Sequence, residues 1–104
     1  MTFNLQQINL VYYQEVIADS KEEAIKIAND TDYGLGSGVF TKDLKKASWT
    51  ASKLEAGQVY VNKWFTGNHA TPFGGYKQSG YSREKGVDAL KSYLQVKNVG
   101  ISLG

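Results

Sequence analysis

Strand-like and helix-like segments alternate along this chain of 104 residues, and that alternation restricts its fold more than any other feature of the sequence. Residues 10–18 (LVYYQEVIA) and 58–62 (QVYVN) are rich in β-branched and aromatic residues, and residues 35–41 (LGSGVFT) form a short apolar segment between them. Segments with apolar residues at helical spacing separate the three. Because parallel neighbours need crossover connections, this order predicts an α/β fold with a largely parallel sheet covered by helices.

The first two predicted helices have recognisable ends. Ser20 is the expected N-cap of the first helix, and Glu23 completes a capping box three residues later. The second helix is predicted over residues 42–56 and is followed by Gly57 at the C′ position. Its predicted apolar face consists of Leu44, Ala47, Ala51 and Leu54.

The last third of the chain is less regular. Residues 63–80 have no hydrophobic period and are predicted to form one long loop. Ser82 is then expected to cap a third helix, and residues 96–103 are expected to form a closing strand. The full order is β-α-β-α-β-loop-α-β in a single domain over residues 1–104.

The composition excludes several classes of function. The formal net charge is only +2, so no nucleic-acid partner is expected. The chain has no cysteine, which removes disulfides, thiolate nucleophiles and cysteine-ligated metals, and its single histidine, His69, does not make a zinc site. No apolar run is long enough to span a membrane, so we expect no membrane association and a location in the cytoplasm.

Two patterns resemble functional motifs but fit structural roles better. Gly34, Gly36 and Gly38 give G-x-G-x-G along a strand, whereas a dinucleotide-binding turn needs G-x-G-x-x-G before a helix. Tight packing is therefore the favoured interpretation of these glycines. Ser79 and Ser82 have no neighbouring base in the sequence, so neither is expected to be a nucleophile.

Aromatic residues concentrate in and around the long loop. They are Tyr60, Trp64, Phe65, Phe73, Tyr76 and Tyr81. Aromatic side chains in loops often line a pocket or an interface. The alternative is that they close the end of the sheet, and the sequence does not decide between the two.

Residues 72–80 (PFGGYKQSG), followed by Arg83 and Glu84, resemble the C-terminal signature of the NAD(P)-dependent aldehyde dehydrogenases. Collinear pieces that agree with that family are EEAI at residues 22–25, ANDT at residues 28–31 and VYVN at residues 59–62. The resemblance covers about residues 6–103, and it is to the C-terminal part of the family's catalytic and oligomerisation region only.

The resemblance implies a reaction that this chain does not complete. In that family a cysteine attacks the aldehyde, hydride passes to the nicotinamide, and a glutamate activates water. All three requirements lie upstream of the matching region, so we expect no catalytic residue here and no NAD(P) bound to this chain alone. The chain is therefore expected to be a truncated aldehyde dehydrogenase-like piece that is inactive by itself and does not reveal its aldehyde.

The resemblance also implies roles for particular residues. Phe73 corresponds to an aromatic wall of the substrate tunnel. Gln7 stands where the family has a glutamate that holds the nicotinamide ribose, and Asn9 stands for a phenylalanine, so this cofactor contact is expected to be degraded. Leu10 and Val11 replace a Gly-Pro turn, which favours a continuous strand.

The predicted closing strand resembles the one that joins a neighbouring subunit in the family. Arg83 and Gln95 correspond to positions near that contact, and Val99 and Ile101 lie on one side of the strand. A homo-oligomer through this strand is expected, because an unpaired strand edge tends to pair with another chain. Two alternatives stay open: one subunit of a split enzyme that completes a cysteine-bearing chain, and a binding or regulatory module that associates with an intact relative.

Overall fold

The structure is a computed structural model, and it describes residues 18–104 in full together with the backbone of residues 5–9 and 12–14. In chain order its elements are β1 (Leu5–Asn9), β2 (Tyr12–Gln14), α1 (Lys21–Asn29), β3 (Tyr33–Gly34), β4 (Gly36–Val39), α2 (Leu44–Lys53), β5 (Gln58–Val61), β6 (Tyr76–Lys77) and α3 (Asp88–Lys91). None of the described helices has the length and apolar character that crossing a bilayer requires.

Four strands form one sheet in the order β2-β1-β4-β5, and β3 pairs with β6 in a second, two-stranded sheet. β4 and β5 are parallel, whereas β1 is antiparallel to both of its neighbours. The α/β class is confirmed, but the sheet is mixed and not largely parallel. The reason is that a short connection joins β1 to β2, which permits only antiparallel pairing, and β1 then lies between β2 and β4.

The strand predicted over residues 10–18 is corrected as well. Among the described residues of that range only Tyr12–Gln14 is a strand, and Ala18 lies outside any strand. Asn9 lies opposite Tyr12 in the antiparallel β1–β2 pair. Leu10, Val11 and residues 15–17 lie outside the described residues, so the expected continuous strand through Leu10 and Val11 stays a prediction.

The capping of α1 follows the prediction closely. The Ser20 hydroxyl accepts the Glu23 backbone N–H at 3.1 Å, which satisfies one of the free donors of the first turn. The Glu23 carboxylate reaches back one residue further than a standard capping box and accepts the Asp19 N–H at 2.9 Å. Ala24 is the buried residue of this helix.

The second helix is shorter than the predicted 42–56. It begins after Asp43, whose carboxylate accepts the Lys45 and Lys46 backbone N–H groups at 2.9 and 3.1 Å. Of the predicted apolar face, Ala47 and Leu54 are buried. Leu44 is 78% exposed, because as the first helical residue it lies beyond the edge of the sheet's cover.

Gly57 is not the C′ residue of α2, which ends three residues earlier at Leu54 as its C-cap. Its N–H instead donates to the Gly34 carbonyl at 2.9 Å. A Cβ at Gly57 would clash with the Gly74 carbonyl oxygen. The absence of a side chain therefore allows two backbone segments to approach, which is a different reason for glycine from the one expected.

The region after β5 departs furthest from the prediction. The supposed loop over residues 63–80 contains β6, which pairs with β3. Ser82 caps no helix, because Phe73 and Glu84 exchange backbone hydrogen bonds of 2.7 Å and hold residues 82–84 extended. α3 covers only four residues, with Val87 at its N-cap position.

The predicted closing strand over residues 96–103 has no strand partner among the described residues. Every residue from Lys91 to Gly104 is exposed, and Val96 and Leu103 are almost completely so. The alternating apolar pattern is present, but a strand needs hydrogen bonds from a neighbour, and the described part of the chain supplies none.

Candidate functional site

The candidate site is built around residues 72–84, which we call the docking loop. The loop contacts the turn after α1 and strand β3 through polar groups of Gln78 and Ser79. The Gln78 N–H donates to the Asp32 carbonyl at 2.9 Å, and the Ser79 hydroxyl accepts the Gly34 N–H at 3.0 Å. Ser79, weighed as a nucleophile from the sequence, therefore fastens the loop to β3.

Lys77 makes the strongest polar contacts of the docking loop. Its ammonium lies 2.7 Å from the Glu55 carboxylate and donates to the backbone carbonyls of Asn29 and Thr31 at 2.8 and 3.1 Å. These carbonyls lie at and just beyond the C-terminus of α1, where a cation is favoured by the helix dipole. Lys77, the basic residue of the signature at residues 72–80, thus makes contacts that are structural.

The interpretation of the glycine run as tight packing is confirmed at two of its three positions. A Cβ at Gly34 would clash with the Glu55 carbonyl oxygen, and one at Gly38 would lie 3.1 Å from the Trp64 ring. Gly36 has ordinary van der Waals space, with its nearest atoms at 3.9 Å. A dinucleotide phosphate would find no open cradle at Gly34 or Gly38.

The aromatic residues divide into a cluster and two separate residues. Tyr60 contacts Trp64 edge-on with ring centroids 5.2 Å apart, and Phe65 links Tyr60 to Phe73 through centroid distances of 6.1 Å each. Tyr60 is buried at the base of this cluster, and burial raises the pKa of its hydroxyl. The cluster closes the end of the sheet at β5, and it still leaves Phe65 62% exposed.

Tyr76 and Tyr81 lie apart from that cluster. The Arg83 guanidinium lies 5.8 Å from the Tyr76 ring centroid, and Tyr81 is 99% exposed. The described structure therefore combines both sequence-based alternatives, because part of the aromatic set seals the sheet and part remains available for contact.

Phe73 is half-buried at the edge of the aromatic cluster. Its backbone is held by Glu84, its ring meets Phe65, and the Lys85 ammonium lies 5.6 Å from its ring centroid. An aromatic tunnel wall needs a ring that is held in place and keeps one face open. These contacts hold the Phe73 ring in that way. Its role in a substrate tunnel stays a prediction.

The residues predicted to contact another subunit or a cofactor do not converge. Arg83 donates from Nη1 to the Gly75 and Ser82 carbonyls at 3.0 Å each, so part of its guanidinium is engaged within the docking loop. The subunit-contact residues of the exposed C-terminal segment are Gln95, Val99 and Ile101. The backbones of Gln7 and Asn9 lie in β1, and their side chains are outside the described residues. The roles of these five residues and that of Arg83 stay predictions.

Sequence reasoning missed Asn29, which connects the ends of the two long helices. Its amide group donates to the Lys53 carbonyl at 2.8 Å and accepts the Glu55 N–H at 2.9 Å. In the sequence Asn29 appears only as part of the ANDT segment at residues 28–31, and no local pattern indicates these distant partners. No group of three or more metal-ligating side chains occurs within the described residues.

Comparisons with known proteins agree with this arrangement of motifs. The aldehyde dehydrogenase family model matches residues 15–99. The NADP/NAD-dependent aldehyde dehydrogenase PuuC of Escherichia coli (strain K12) is 46% identical over 84 residues, which is 81% of this chain and 17% of PuuC.

Two solved structures show the same local fold. The NAD+ complex of an aldehyde dehydrogenase from Bacillus cereus superposes with a TM-score of 0.78 at 46% identity, over 86% of this chain and 18% of that one. Indole-3-acetaldehyde dehydrogenase AldA of P. syringae, in complex with NAD+ and IAA, gives a TM-score of 0.76 at 49% identity, over 83% and 17%.

The chain thus spans less than a fifth of the length of these relatives. Within that span, the sequence identity, the β4–α2–β5 core and the docking loop agree with the same set of proteins. This chain belongs to the aldehyde dehydrogenase family.

Proposed function

We propose that these 104 residues form an aldehyde dehydrogenase-like unit that carries a substrate-tunnel wall and a subunit contact and is not catalytic on its own. The observation that carries the proposal is the lack of any cysteine in the sequence, because the family's reaction begins with attack by a cysteine. Two nucleophilic groups of the docking loop are already engaged in the described structure. The Ser79 hydroxyl is bonded to Gly34, and the Lys77 ammonium is paired with Glu55.

The proposal includes no binding of NAD(P) by the chain alone. Relatives of the family bind the cofactor, as the two NAD+ complexes show. In this chain the residue at the ribose-binding position is the amide Gln7, and the glycines that could approach a phosphate are covered at Gly34 and Gly38.

We place the protein in the cytoplasm, which cell fractionation would test.

The proposal also includes self-association through the C-terminal segment. This segment exposes apolar side chains such as Val99 and Ile101, which are 66% and 78% exposed. β5 lies at an edge of the sheet and has no second neighbour among the described strands. Pairing the segment of one copy with an edge strand of another would satisfy backbone groups on both and cover these side chains.

The test is a turnover assay on the purified chain. Aliphatic and aromatic aldehydes are supplied with NAD+ or NADP+, and reduced dinucleotide is followed by its absorbance. We expect no rate above that of a heat-denatured sample. Turnover by the pure chain would overturn the proposal, because no arrangement of these residues supplies the thiolate.

A second candidate is one half of a split enzyme, favoured by the exposed Phe65 next to the edge strand β5. Its test is to mix the chain with a cysteine-bearing relative truncated before its own copy of this region. Restored activity in the mixture supports it, and unchanged activity and elution volume count against it.

A regulatory module would instead change the activity of an intact, untruncated relative.

A further inference from the structure

Lys77 lies where three parts of the fold meet, and the cation contacts each of them. Its ammonium is bonded to a carbonyl at the end of α1, a carbonyl of the following turn and a carboxylate just after α2, namely Asn29, Thr31 and Glu55. The Lys77 side chain is only 28% exposed, so these contacts are partly shielded from water. A charged group with three acceptors is held in one place.

The acceptors of Lys77 belong to a part of the fold that is held together by its own hydrogen bonds. The Asn29 side chain bonds both the Lys53 carbonyl and the Glu55 N–H, at 2.8 and 2.9 Å, so the ends of α1 and α2 are joined before Lys77 contacts them. Lys77 therefore joins the docking loop to the ends of both helices at once.

Lys77 itself has a backbone conformation that requires support. Its φ angle is +52°, in the left-handed region that residues other than glycine rarely adopt. No local pattern favours this conformation for a lysine. The bonds of its ammonium and the β3–β6 pairing offset the cost.

A short, continuous set of contacts leads from Lys77 to Phe73. Tyr76 pairs with Gly34, and the buried Gly75 presents its carbonyl to Arg83. Phe73 is then bonded through its backbone to Glu84, which lies in the same loop and would move with it.

We propose that Lys77 is the positioning residue that fixes Phe73 against the sheet, by holding the docking loop on the joined ends of α1 and α2. The inference rests on the proposed function, in which Phe73 is part of a tunnel wall. It adds that the position of this wall is set from the middle of the loop, by a residue that is not itself part of the wall.

The test is hydrogen–deuterium exchange, read by mass spectrometry, on the purified chain and three lysine variants. Lys77→Met removes the charge and keeps the length of the side chain. Lys77→Arg keeps the charge. Lys63→Met removes an exposed lysine that lies outside the docking loop, and it is the matched control.

We expect Lys77→Met to speed exchange at the Phe73 and Glu84 amides by roughly tenfold or more, since hydrogen bonds to a charged group are lost. Exchange in β4, α2 and β5 should stay unchanged. Lys77→Arg should restore most of the protection, and Lys63→Met should match the parent chain. A milder variant, Glu55→Gln, keeps both carbonyl acceptors and should give a smaller effect in the same place.

Unchanged exchange at Phe73 and Glu84 in a folded Lys77→Met chain would overturn the inference. Equal acceleration throughout the chain would overturn it too, because Lys77 would then serve general stability and not the loop. Neither result bears on turnover, since the measurement needs no aldehyde or dinucleotide. The proposed function can therefore fail while the role of Lys77 stands, and the reverse also holds.

Discussion

At the scale of single residues, Tyr60 makes the stability of the fold depend on pH. The ring is 7% exposed beneath Trp64, and burial raises the pKa of its hydroxyl above the ordinary value of 10.0. The folded state therefore favours the neutral phenol. This contribution to stability is complete below the ordinary pKa and is lost as pH rises above 10.0 and through the raised value.

We expect Tyr60→Phe to weaken the alkaline loss of stability, because phenylalanine keeps the ring contacts and has no proton to lose. The measurement is the free energy of unfolding in urea at a series of pH values around and above 10.0. Tyr81→Phe is the control, since that side chain is 99% exposed. Identical pH profiles for Tyr60→Phe and the parent chain would contradict the expectation.

Residue types could be interpreted from the sequence, but their distant partners could not. The spacing of the glycine run predicts tight packing at Gly34, because it does not fit a dinucleotide-binding turn, but the sequence does not indicate that the Glu55 carbonyl fills the space. Lys77 is separated by 48 residues from Asn29, to whose carbonyl it donates. Periodicity and turn propensity are local quantities, so they carry no information about such pairs.

At the scale of elements, the two long helices depend on side-chain caps at their first turns. The Asp43 carboxylate accepts two backbone N–H groups of α2, and the Ser20 hydroxyl accepts one of α1. Each bond satisfies a donor that the helix itself leaves free. Ser82 has the sequence appearance of a cap but lies in an extended segment.

We expect Asp43→Ala and Ser20→Ala each to lower the free energy of unfolding by about 0.5–2 kcal/mol. Ser82→Ala should change it by less than about 0.5 kcal/mol, as exposed positions without such a bond usually do. Chemical denaturation followed by circular dichroism measures all three. A loss at Ser82 as large as that at Asp43 would show that a helix begins there after all.

The elements that the sequence predicted well are those with their own start signals and enough length. α1 begins directly after its predicted cap, and β5 ends one residue before the predicted bound, because a cap and an alternating pattern mark them locally. β6 has only two residues and exists through pairing with β3, so no hydrophobic period in the sequence indicates it. The third helix is shorter than predicted and starts later, and the closing strand has no partner among the described residues, because apolar spacing alone does not supply a partner.

At the scale of the whole molecule, burial is unevenly divided along the chain. No described residue after Gly75 is buried, whereas the buried residues before it include members of α1, β3, β4, α2 and β5. The radius of gyration is 18.3 Å, against about 13 Å for a compact chain of this length. The final third of the chain therefore gains little from folding onto its own core.

Because the final third of the chain is so little buried, we expect self-association to depend on one face of the C-terminal segment. In an extended strand Val99 and Ile101 lie on one face and Asn98 on the other. We expect Val99→Asp to abolish association, because a charge would be buried against the partner strand, while Asn98→Asp adds the same charge on the opposite face and should leave association intact. Molar mass from sedimentation equilibrium distinguishes the two. If Val99→Asp leaves the molar mass unchanged, this face of the segment does not join the copies. The same conclusion follows if association is lost equally in both variants.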